Sequence, residues 1–150
     1  MTDEPTRVFI DTNIWISAFI NPTGPPAAVL ATFDTDEIIA VISQPFLDEL
    51  TGILTRSRIR RRLQVSGNDA DEILARVKRK AVTVYPTGAI QLCRDEKDDV
   101  MLETAILGRA HYIVSRDDDI KRDLNLIARL HGHGIEVVTV AQFLALLGER

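Results

Sequence analysis

Short apolar runs alternate with longer stretches in which apolar residues recur every three or four positions, and this rhythm continues from residue 8 to residue 147. The runs at 8–10, 38–42, 82–85, 112–115 and 137–138 are short, continuous and rich in β-branched residues, so they predict strands. Between them the spacing predicts helices over 13–20, over 25–33, over 44–54 and through the arginines to about residue 63. Further helices are predicted over 69–80, over 98–107, briefly at 120–124, and from about 140 to 147. The punctuation agrees. NPTG (21–24) and DTDE (34–37) interrupt the pattern, and SGND (66–69) reads as a turn and cap. Pro25 and Pro26 suit a first helical turn. Ser43 stands where an N-cap belongs, and Thr139 with Gln142 forms a capping box for the last helix. Residues 86–97 read as a loop, and HGHG (131–134) as a glycine-rich one.

Strands that alternate with helices must return over the sheet to run in the same direction, which predicts an α/β fold, a central mostly parallel sheet between helical layers. The 150 residues fit one domain over 1–150, with residues 1–6 expected as a flexible tail. In such sheets ligands bind beyond the carboxyl ends of the strands, so the residues that follow each strand carry the functional signal. Asp11 follows the first strand, and Asp117 comes two residues after YIVS.

Charge sharpens the picture. The formal net charge is −4, yet half of the 18 basic residues, Arg56, Arg58, Arg60, Arg61, Arg62, Arg76, Lys78, Arg79 and Lys80, fall within 25 positions. A second block holds Asp95, Glu96, Asp98, Asp99, Glu103, Asp117, Asp118 and Asp119. Basic residues that attract a polyanion, beside acids that hold cations against its phosphate, suit a metal-dependent nuclease; the alternative is two solvated helix faces. One cysteine, Cys93, excludes an internal disulfide and reads as a small buried hydrophobe. The first residues lack the pattern of a signal peptide and no segment reaches a membrane span, so a cytoplasmic protein is expected.

The acids divide by position. Asp11 fits either a cap on the following helix or a ligand, with Thr12 and Asn13 in supporting roles. On the 44–54 helix, steps of 100° place Glu49 at the edge of the apolar face and Asp48 nearly opposite it, solvated. In EKDDVMLETAIL the same stepping sets Asp98 within the arc of Met101, Leu102 and Ala105, and Asp99 at its edge. Three acids in SRDDDI repel one another unless cations balance them. Asp117 is the preferred ligand there, Asp119 an accessory, and Asp118 solvated. Ser115 suits a hydrogen bond to a ligand carboxylate or a cap on the next turn. His131 and His133 lack a third ligand nearby and are set aside as a metal pair.

Taken together, FIDTN after an apolar start, the glutamate of SQPFLDELTGIL, and RDEKDDVMLETAILGRAHYIVSRDDDI resemble the PIN-domain family, including the toxin components of bacterial toxin–antitoxin pairs. The resemblance spans nearly the whole chain. It implies a three-layer α/β/α sandwich that binds Mg²⁺ or Mn²⁺ and cuts RNA. Matched position by position, the family's four acids fall on Asp11, Glu49, Asp98 and Asp117, and its Ser or Thr before the last acid on Ser115. Asp99 remains open as the third acid in place of Asp98, and Glu96 stands where the family often has proline. Asp11, Asp98 and Asp117 would hold metal, Glu49 a second ion or the attacking water, and Arg56, Arg58, Arg60, Arg61 and Arg62 the RNA backbone. A cognate antitoxin and a homodimer are further expectations. Oxygen donors without clustered nitrogen or sulfur ligands agree independently with a hard cation.

Other readings fail on single positions. A haloacid-type phosphatase needs a second aspartate where Asn13 stands, and a receiver domain needs a lysine after a late strand. A binding module for RNA or protein, without turnover, is the alternative from another class.

Overall fold

The computed structural model describes residues 4–91, 96–116 and 124–148, without the side chains of 96–98. The strands are β1 (Thr6–Ile10), β2 (Ile38–Ser43), β3 (Val82–Val84), β4 (Tyr112–Val114) and β5 (Glu136–Val138). The helices are α1 (Thr12–Ile20), α2 (Pro25–Asp34), α3 (Gln44–Leu54), α4 (Ser57–Val65), α5 (Ala70–Lys80), α6 (Glu96–Leu107), α7 (Leu124–Gly132) and α8 (Val140–Gly148).

All strand pairs are parallel, in the order β3-β2-β1-β4-β5, with Val8 opposite both Ala40 and Tyr112 and Ser43 opposite Val84. Strand β1 is central, and Val8, Phe9 and Ile10 are buried, as a strand covered on both faces demands. With the right hand that parallel crossovers take as a rule, the chain passes from β1 through β2 to β3 along one face, then back to β4 and β5 along the other. Helices α1 to α5 accordingly pack among themselves with α8 against α2, while α6 lies on β1 and β2. The chain has the expected α/β/α sandwich, and the direction of connection reverses between β1 and β4. That reversal opens a crevice at the carboxyl ends of those two strands.

Aromatic packing fixes α1 against this edge. Trp15, buried, donates from Nε1 to the Ile10 carbonyl at 3.0 Å and meets Phe33 edge-on with ring centres 5.2 Å apart. Ser43 caps α3, with its hydroxyl accepting from the Phe46 N–H at 3.4 Å. The capping box before α8 is also formed: the Thr139 N–H donates to Gln142 Oε1 at 2.9 Å, and the Gln142 N–H to Thr139 Oγ1 at 3.1 Å.

Three expectations need correction. Thr6 belongs to β1, paired with Ile38, so the predicted tail over 1–6 is too long. The HGHG segment is half helical, with His131 and Gly132 in the last turn of α7 and His133 and Gly134 in the turn after it. Leu126 and Leu130 are buried on α7, which ends at Gly132, and the chain then turns at Gly134, whose φ of 75° allows the Ile135 N–H to reach the Leu130 carbonyl at 2.9 Å and the Gly134 N–H that of His131 at 2.9 Å. The basic block is split. Arg76 lies over Phe19 at 5.4 Å and beside Asp34 at 3.6 Å, and Lys80 over Phe33 at 5.5 Å and beside Asp36 at 3.0 Å, so both fasten α5 to its neighbours. The predicted short helix at 120–124 falls, but for Leu124, outside the described residues, as does Cys93.

Helix α6 approaches β2 so closely that glycine is required where it ends. A Cβ on Gly108 would lie 1.9 Å from Val41 Cγ1. Gly108→Ala is therefore expected to cost about 2 kcal/mol through overpacking, seen as a fall of roughly 4–8 °C in Tm. Adding Val41→Ala should recover part of that loss; strictly additive losses would show that the contact is not the cause.

Candidate active site

Asp11 owes its place to the main chain. Its N–H donates to the Val114 carbonyl at 3.0 Å, continuing the ladder with β4, and its own carbonyl accepts from the Ile14 N–H at 3.0 Å to begin α1. It holds the N-cap position, yet its side chain makes no capping hydrogen bond. Asp11 is half-buried and lines a cleft of about 760 Å³ at the carboxyl end of β1.

Four other elements complete the walls. Thr12 and Asn13 come from the first turn of α1, the former buried and the latter exposed. Ser43, Pro45, Phe46, Asp48 and Glu49 come from the end of β2 and from α3, and Val100, Met101 and Thr104 from α6. Glu49 is exposed at the edge of the α3 core face, where helical stepping places it. Asp48 is exposed as expected but also faces the cleft, with its carboxylate accepting from Gln44 Nε2 at 2.9 Å. The cation among the described lining residues is Arg116, which donates from Nη1 to the Ser17 hydroxyl at 3.3 Å.

Thus the consecutive Asp11, Thr12 and Asn13 meet Glu49 of α3 in one cavity. Ser115 is buried directly after β4, with its N–H donating to the Val138 carbonyl at 3.0 Å. Asp99 is half-buried on α6. Asp117, Asp118 and Asp119 lie outside the described residues, and so does the side chain of Asp98, although its backbone is in the first turn of α6. Among the described residues no three His, Cys, Asp or Glu side chains converge closely enough to hold a metal ion. His131 and His133 line different hollows, the first with His111 and Glu136, the second with Arg129 and Gln91. Arg56, Arg58, Arg60, Arg61 and Arg62 are exposed on α4 or just before it, and none lines the cleft.

A family model described as a PIN domain matches residues 7–119. The chain belongs to the PIN-domain family. It is also 30% identical over 139 residues to an uncharacterized protein of Methanocaldococcus jannaschii, covering 92% of this chain and 89% of that one. PIN domains are generally nucleases and typically use divalent metal ions. No helix among the described residues is long and apolar enough to cross a membrane.

Two features of this PIN domain escape sequence reasoning. Arg116 sits in a segment whose acids dominate the pattern, and only its position directly beyond β4 signals the cleft. Glu103 looks like one more member of the acidic block but belongs to another structure. It is buried, and its carboxylate accepts hydrogen bonds from the Thr87 N–H and hydroxyl and from the Gly88 N–H, the last at 2.9 Å. Burial alone would raise its pKa, but these bonds and one from the Ile90 N–H outweigh it and hold the carboxyl below the ordinary glutamate value. The loop after β3 is thereby fastened to the helix that walls the cleft.

Proposed function

We propose that this PIN domain is a metal-dependent ribonuclease that hydrolyses RNA phosphodiester bonds, and that it serves as the toxin component of a toxin–antitoxin pair. The observation that carries the chemistry is the convergence of Asp11 and Glu49 in one cleft at the strand reversal, where Asp11 is not engaged in capping. The described cleft lining offers carboxylate, hydroxyl and amide oxygens and no His or Cys, a donor set that fits Mg²⁺ or Mn²⁺.

Asp11, Asp98 and Asp117 are the proposed ligands, with Asp99 the competitor of Asp98 and Asp119 an accessory. A bound divalent ion supplies Lewis acidity toward the phosphoryl oxygens and a water nucleophile active at neutral pH. Glu49 orients that water or holds a second ion. Thr12, Asn13 and Ser115 support the carboxylates. Arg116 offers a planar fork at the cleft to a substrate phosphate, which would have to replace its bond to Ser17. The exposed arginines around α4 attract the RNA and hold its backbone outside the cleft. Family membership supports the toxin role, and with it a cognate antitoxin and a homodimer.

Purified protein should cut a mixed RNA pool with Mn²⁺ or Mg²⁺ and stop with chelator. Binding of RNA without cleavage under every metal condition would assign the chain instead to a silent binding module. The arginines have their own measurement. Replacing Arg58, Arg61 and Arg62 with alanine should weaken RNA affinity and lower the slope of log K against log salt by ~0.7 for each phosphate no longer neutralised. An unchanged slope would remove them from the RNA path.

A further inference from the structure

Tyr85 is a large aromatic residue left 74% exposed, and its surroundings differ from those of the other exposed apolar side chains. Val65 ends α4, Leu107 ends α6 and Leu124 begins α7, where single exposed apolar residues are ordinary. Tyr85 instead follows β3 at the carboxyl edge of the sheet, one residue past Val84, which pairs with the cleft-lining Ser43. Neighbouring strands lie ~4.8 Å apart, so its backbone stands within about two residue steps of the cleft wall.

The segment that carries Tyr85 is held in place. Pro86 confines the backbone of Tyr85 to extended conformations. Gly88 turns the loop with a φ of 85°, and the buried Glu103 carboxylate gathers the Thr87 and Gly88 N–H groups. Glu103 lies on α6 between Met101 and Thr104, both of which line the cleft. One buried acid thus couples the cleft wall to the loop that presents an exposed ring. Burying an aromatic residue would favour folding, so a fixed loop that keeps the ring in water points to a ligand with a flat apolar face.

We infer that Tyr85 is a stacking platform for a base of single-stranded RNA, positioned by Glu103 and set beside the cleft in which the backbone is cut. This inference rests on the ribonuclease reading and adds a preference for unpaired bases. Stacking of this kind tolerates every base, because each has a π-face, and fails on a duplex, whose bases are already stacked.

The test measures affinity for a labelled single-stranded RNA dodecamer in an Asp11→Asn background, so that the RNA stays intact. Tyr85→Ala should raise Kd about tenfold, while Tyr85→Phe and Tyr85→Trp stay within about twofold of the parent. The salt slope should not change, because every phosphate keeps its cationic partner. Affinity for a duplex of the same sequence should be equal in all four proteins. Equal single-strand affinity in Tyr85→Ala overturns the inference, and so does a Tyr85→Phe variant as weak as Tyr85→Ala, which would make the hydroxyl the contact. If the Tyr85-containing parent and the wild-type chain bind no single-stranded RNA at all, the ribonuclease reading falls first and this inference with it.

Discussion

Asp11→Asn is expected to lower metal-dependent RNA cleavage by roughly a thousandfold while leaving the fold intact. The two halves of this prediction have separate physical origins. The main-chain bonds that hold residue 11 in place, its N–H to Val114 and its carbonyl to Ile14, are available to asparagine as to aspartate. Asparagine is also accepted at an N-cap, so the start of α1 should be unaffected. The carboxylate charge, by contrast, disappears from a cleft proposed to hold a cation. Loss of a group that stabilises developing charge costs about 10²–10³ in rate even when it is a single neutral donor. Single-turnover cleavage with Mn²⁺, beside circular dichroism and thermal melts, separates the two halves. A folded variant that cuts as fast as the parent would move the chemistry away from this cleft. Asp98→Asn and Asp99→Asn, assayed in parallel, identify the third acid by whichever abolishes cleavage.

The second large effect concerns stability. Glu103→Gln should destabilise the protein by about 3 kcal/mol, because an amide nitrogen replaces an oxygen that accepts from main-chain donors. The loss should depend on pH. In the folded protein the Glu103 carboxyl is held below its ordinary value, against the raising effect of burial, by the bonds from Thr87, Gly88 and Ile90. A group depressed in this way adds stability above its unfolded pKa and loses that contribution as pH falls through the folded one. The gap in urea unfolding free energy between the parent and Glu103→Gln should therefore be widest near neutrality and narrow as the pH falls into the acid range below the ordinary glutamate pKa. A gap constant across that range would mean that the carboxylate charge is not what the loop requires.

The sequence is legible wherever structure follows from local periodicity. The five strands lie where apolar runs place them, Ser43 caps α3, and the Thr139–Gln142 box closes as its spacing requires. Glu49 can be assigned to the cleft because its helical angle is calculable. Asp98 and Asp117 rest on the same stepping and strand context alone, since their side chains lie outside the described residues. What escapes reading depends on distance along the chain. Glu103 and Thr87 are 16 residues apart, and nothing local distinguishes that acid from the others of its block. Arg76 and Lys80 look like parts of a basic face because Phe19 and Phe33, the rings beneath them, come far earlier in the chain. Helix α7 escapes for a different reason. Two glycines in HGHG look like a loop, yet only Gly134 takes the left-handed conformation, and Gly132 is still helical.

The central position of β1 bears on how the protein is made. The strand leading into Asp11 leaves the ribosome well before its partner on one side, β4, with Val8 opposite Tyr112. At ~5–20 residues per second, the intervening hundred or so residues take about 5–20 s to synthesise. Until then the crevice between the two strands has only one bank, and Arg116 has not been added to the chain. A nascent or truncated chain that stops before β4 therefore carries Asp11 and Glu49 without the cleft they share. Whatever chemistry that cleft performs is withheld until β4 has been made.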